Sequence, residues 1–76
     1  MTKEEKRLLL RQAVKLTTLG AKVERERNRL KMLVERGVPY SAPEMLETLE
    51  RFIQADAEWK RLEAEHLALQ ERFKRR

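Results

Sequence analysis

Apolar residues recur at alternating steps of four and three along two stretches of this chain, and a single Gly-Val-Pro break separates them. Leu9, Ala13, Leu16, Gly20, Val23, Arg27, Leu30 and Val34 hold that spacing in the first stretch. Met45, Thr48, Phe52, Ala55, Trp59, Leu62, His66, Leu69 and Phe73 hold it in the second. The period is that of a helical seam facing a partner helix, not the alternation of a strand. Composition agrees. Ala, Glu, Lys, Leu and Arg fill 49 of 76 positions, and two Gly and two Pro cannot supply the turns of a sandwich or barrel. The chain is expected to be all-α, one domain over residues 1–76.

The break predicts where the helices end and begin. Gly37 suits the left-handed conformation that closes a helix, Val38 is placed to cover Leu33 in a Schellman motif, and Pro39 cannot continue the helix. Thr2 with Glu5 reads as a capping box, and Ser41 with Glu44 as a second. Pro43 fits the first turn of helix two, and Tyr40 with Met45 has the spacing of a hydrophobic staple. The expected elements are helix one over about 3–36, a turn at 37–41 and helix two over about 42–74. So short a connection makes the helices antiparallel, in a hairpin about 50 Å long at 1.5 Å per residue. Gly20 and Trp59 should then oppose each other, with Trp59 mostly buried over Gly20 and Arg27 near Asp56 as a seam-edge pair.

One seam per helix gives little core for a chain of this size. Further apolar residues lie beside the seams: Leu10, Val14 and Ala21 on helix one, and Leu46, Leu49, Ile53, Ala57, Ala64 and Leu67 on helix two. Surplus apolar surface of this kind is best buried against another copy. The pattern therefore predicts a homodimeric four-helix bundle, with Leu10, Val14, Ile53, Ala57, Ala64 and Leu67 as the self-association set.

Several chemistries find no residues to carry them. There is no Cys and a single His. Glu63 and His66 have the Glu-x-x-His spacing of di-metal bundles, but the positions facing them, Leu16 and Ala13, are not ligands. No catalytic residue, no metal and no cofactor is expected, and the chain is not expected to be an enzyme. The longest apolar run is Leu8–Leu10, so no membrane span is expected and a soluble cytoplasmic protein is the default.

Charge is the most informative functional signal. Residues 1–37 hold eleven basic and five acidic side chains, whereas residues 38–76 hold seven and eight. Arg7, Arg11, Lys15, Lys22, Arg25, Arg29 and Arg36 share one outer face of helix one, about 200° round from the seam at 100° per residue, with no acidic residue among them. Arg11, Lys15, Lys22, Arg25, Arg29 and Arg36 are the expected partner-binding set. A second basic group, Lys3, Lys6 and Arg7 with Arg72, Lys74, Arg75 and Arg76, gathers at the open end. The partner this implies is a larger protein with an acidic surface, or RNA or DNA held through its phosphates.

Residues 23–46, VERERNRLKMLVERGVPYSAPEML, resemble the first half of the small sporulation aspartyl-phosphate phosphatases, which are helical hairpins; Pro43-Glu44-Met45-Leu46 matches the opening of their second helix. Where that family carries its functional motif this chain has Leu49-Glu50-Arg51-Phe52-Ile53, so the resemblance implies a related regulator without that activity. The opening Met-Thr-Lys-Glu-Glu-Lys resembles the Rop family of plasmid copy-number proteins, which implies a dimer of hairpins binding RNA along helix one. From the residues themselves, the first reading is a regulatory or adaptor hairpin acting by protein–protein binding, and the second is a nucleic-acid-binding homodimer.

Overall fold

The computed structural model describes residues 1–74. It contains two helices, α1 (Lys3–Glu35) and α2 (Pro43–Lys74), packed antiparallel along their whole length in a rod measuring 53 × 15 × 15 Å. No strand occurs among the described residues. α1 opens on the expected capping box: Thr2 N–H donates to Glu5 Oε1 at 2.9 Å, and Glu5 N–H donates to Thr2 Oγ1 at 3.2 Å. Two of the first turn's free amides are thereby satisfied.

α1 closes as a Schellman motif. Val38 N–H reaches the Leu33 carbonyl and Gly37 N–H the Val34 carbonyl, both at 3.0 Å, with Gly37 at φ +77°. A Cβ on Gly37 would meet nothing within 4 Å, so only backbone strain opposes a side chain there. Gly37→Ala is expected to destabilise the fold by about 1 kcal/mol, read as a lower urea midpoint at unchanged slope.

α2 starts differently from the sequence reading. Ala42, not Ser41, occupies the cap: its carbonyl accepts the first helical bond from Leu46 N–H at 3.1 Å, and Pro43 is the first helical residue. The reason is local. The α region is disfavoured for the residue before a proline, so Ala42 precedes the helix and Pro43 opens it. A turn closed by Ala42 N–H on the Pro39 carbonyl carries Tyr40 and Ser41 outward. Ser41 is exposed and makes no hydrogen bond with Glu44, and Tyr40, 76% exposed, does not staple Met45.

The helices face each other along one line apiece. On α2 the line runs through the expected residues, Met45 to Phe73, with Met45, Thr48 and Ala55 fully buried. On α1 it runs through Leu9, Gln12, Leu16, Leu19, Val23, Glu26, Leu30 and Leu33, flanked by half-buried Ala13 and Gly20. Arg27 and Val34, expected on the seam, are exposed, and Glu26 and Leu33 take their places. Anchoring by the Schellman bond turns Leu33 inward beside the turn. Glu26 is tolerated because Arg51 Nε lies 3.3 Å from its carboxylate and Arg51 Nη2 also donates to buried Thr48 at 3.2 Å.

Gly20 lies against Trp59, as expected from the register, although Trp59 is half-buried. A Cβ on Gly20 would sit 3.4 Å from Trp59 Nε1 and 3.8 Å from Cδ1, which is ordinary contact. Alanine therefore fits, and it removes the propensity penalty of a mid-helix glycine. Gly20→Ala is expected to stabilise the hairpin by about 0.5–1 kcal/mol, seen as a rise of a few degrees in Tm. A fall in Tm would mean that the two helices approach more closely there.

Candidate functional site

Three contacts fix the register. Gly20 lies against Trp59, a 2.9 Å hydrogen bond joins His66 Nδ1 and Gln12 Oε1, and Arg51 pairs with Glu26. With the facing lines and this register set, the hairpin has two long sides, and they differ in chemistry. Helical geometry places Leu10, Ala13, Thr17, Gly20, Glu24, Arg27, Lys31 and Val34 of α1 on the same side as Leu46, Leu49, Ile53, Asp56, Lys60, Glu63 and Leu67 of α2. The cleft formed by Gly20, Val23, Glu24, Arg27, Asp56 and Trp59 lies at the middle of this side.

That first side is apolar toward both ends. Val34, Leu46, Leu49 and Ile53 are exposed near the turn, and Leu10 and Leu67 near the open end. Ile53 and Leu67 each show 57% of their surface, and Leu10 shows 66%. Val14, Ala57 and Ala64, the rest of the expected self-association set, are exposed as well but lie further round, on the outer ridge of their helices. Between the two apolar patches is a polar band. The expected approach of Arg27 to Asp56 produces no ion pair: Arg27 pairs with Glu24 one turn back, and Lys60 Nζ lies 2.9 Å from Asp56 one turn on. Intrahelical partners at i+3 and i+4 are nearer than the opposite helix, which explains the outcome.

The second side carries the basic stripe. Arg11, Lys15, Lys22, Arg25, Arg29 and Arg36 are all exposed, and none makes an ion pair among the described residues. The stripe is not on the back of α1. With the facing line at Leu19, Glu26 and Leu33, it sits about 80–130° round and borders the groove between the helices. The same register brings Lys15 level with Glu65, Lys22 with Glu58, and Arg36 with Glu44 on the facing edge of α2. Sequence reading missed this opposition; its signal is the pairing of numbers around the Gly20–Trp59 contact. Arg11 and Arg25, further out, have no such carboxylate across from them. Near the turn, Arg25, Asn28, Arg29, Met32, Leu33, Arg36 and Glu44 line an open, shallow groove of about 460 Å³.

No group of three or more metal-binding side chains occurs among the described residues, and Gln12 takes up the His66 ring. Among the described residues no helix is long and apolar enough to cross a membrane. Arg75 and Arg76, assigned to the open-end basic group, lie outside the described residues. No protein-family model matches the chain, and neither the curated proteins nor the solved structures contain a significant match. The likenesses at residues 23–46 and 1–6 stay short and local.

Proposed function

We propose that the chain is a non-enzymatic helical-hairpin regulator or adaptor that works by protein–protein binding as a homodimeric four-helix bundle. The observation that carries this reading is the apolar side. Few residues of the hairpin are fully buried, while Leu10, Leu46, Leu49, Ile53 and Leu67 stay in solvent on one side. A side 53 Å long and 15 Å wide covers roughly 800 Å², the area each partner contributes to a stable interface. A second copy supplies an apolar surface of matching length and a polar band of matching kind. The band of Glu24, Arg27, Asp56 and Lys60 then selects the register, as buried polar residues do in coiled coils. The basic side faces away from the dimer seam and is left for a larger partner with an acidic surface.

The second reading is a homodimer that binds RNA or DNA, and the six unpaired cations favour it. Glu44, Glu58 and Glu65 along the same groove weigh against it, because a polyanion lying there passes each of them. A mobility-shift titration at two salt concentrations separates the two. The adaptor reading expects no retention of nucleic acid above background even at low salt. Retention that weakens steeply with salt, and loses about one unit of log–log slope for each phosphate contact removed by Lys22→Glu and Arg25→Glu, belongs to the second reading.

A further inference from the structure

We infer that the groove beside the turn on the basic side is a docking site for one acidic amphipathic helix of a partner protein. The inference rests on the adaptor reading and names the partner element.

Three features of the groove point to this occupant. Its floor is apolar: Met32 is half exposed there and Leu33 lies buried beneath. A thioether on a flexible stem adapts to an incoming apolar side chain, whereas a bare phosphate gains nothing from it. Its α1 edge is basic. Arg25, Arg29 and Arg36 stand along three turns of one helix, about 16 Å at 1.5 Å per residue, and none is ion-paired among the described residues. Guanidinium groups take carboxylates in bidentate fashion, and a helix bearing Glu or Asp at every third or fourth residue presents them at that pitch. Its α2 edge carries Glu44. An occupant must therefore be acidic along one edge, apolar beneath, and neutral or basic along the other.

A helix meets all three conditions because its faces are chemically independent. A nucleic-acid strand does not, since it is anionic along its whole length, and the groove holds no aromatic side chain for a base to stack on. The groove is also on the side away from Leu10, Ile53 and Leu67, so self-association leaves it open, one groove per copy.

The test uses the full chain and three probes, followed by amide shifts and fluorescence anisotropy. The first probe is a synthetic helical peptide of about five turns, with Glu along one edge and Leu along the adjoining stripe. The second is the same composition scrambled so that no stripe forms, and the third is a short RNA duplex. The helical peptide is expected to shift the amides of residues 25–36 and 44 and to bind at least tenfold more tightly than the scramble. Arg25→Glu with Arg29→Glu should weaken it at least tenfold, and Met32→Glu should do the same without removing a cation. Arg61→Glu, a charge reversal at an exposed position of α2 outside both the stripe and the groove, should alter affinity less than twofold. Equal binding of the scramble, no shift at residues 25–36, or RNA binding those residues more tightly than the peptide overturns the proposal. The dimer reading is tested apart from this. A monomeric chain that still binds the peptide refutes self-association alone, and a dimer with a silent groove refutes the groove alone.

Discussion

A hairpin carrying both Ile53→Glu and Leu67→Glu is expected to sediment as a monomer of 9.1 kDa at concentrations where the unmodified chain has twice that mass. Both side chains are more than half exposed in the single hairpin, so the substitutions remove few contacts within it. They act on the side proposed to meet the second copy. There each places a carboxylate in an apolar patch, and the two patches lie at opposite ends, so no sliding of one hairpin along the other avoids both. An unpaired charge buried at an interface is worth several kcal/mol against association. Helix content should fall along with mass. The residues buried within one hairpin, chiefly Leu33, Met45, Thr48 and Ala55, form a core too small to stabilise the helices well alone. If the double variant keeps the unmodified chain's mass, the apolar side is not the interface.

The second large effect belongs to Trp59→Ala. Trp59 is the largest side chain on either facing line, it is half-buried, and it covers the gap left by Gly20. Alanine leaves small residues opposite each other at the middle of the rod, and the helices cannot close the space without shifting register along their whole length. The expected loss is roughly 3 kcal/mol. For a domain of this size that lowers Tm by about 15 °C. Combining Trp59→Ala with Gly20→Leu should recover part of the loss, because the new side chain points into the vacated volume. A thermal melt of the single and double variants decides the matter, and additive losses would place residues 20 and 59 out of contact.

α2 was legible because its apolar positions admit one phase only. Met45, Thr48, Phe52, Ala55, Trp59, Leu62, His66, Leu69 and Phe73 run the length of the helix, whereas the set one residue on, Leu46, Leu49, Ile53 and Leu67, is broken by Asp56, Lys60, Glu63 and Gln70, and the set one residue back holds Glu44, Glu47, Glu58 and Glu65. α1 is ambiguous. Leu9, Leu16, Val23 and Leu30 belong equally to a line completed by Ala13, Gly20, Arg27 and Val34 and to one completed by Gln12, Leu19, Glu26 and Leu33. The structure uses both near the open end, where Ala13 and Gly20 are small, and only the second near the turn. There the choice is made by the Leu33–Val38 hydrogen bond and by the Arg51 cross-link to Glu26, and a periodicity contains neither.

The site residues follow the same division. The six cations of the stripe and the exposure of Leu10, Val14, Ile53, Ala57, Ala64 and Leu67 could be read from spacing on single helices. The carboxylates level with Lys15, Lys22 and Arg36 could not, because they depend on register between helices. The Ser41 cap failed for a local reason that sequence does hold: the proline two residues later restricts Ala42 and moves the start of α2 to Pro43.

Self-association through the apolar side is the claim on which the rest depends, since it decides which side of the hairpin remains free. Sedimentation equilibrium of the unmodified chain over a wide concentration range measures it directly. The result expected is a mass of twice 9.1 kDa that falls toward one chain only at the lowest concentrations, with a melting temperature that rises with concentration. A mass of 9.1 kDa at high concentration, in a chain that keeps its helices and melts at the same temperature at every concentration, contradicts the account.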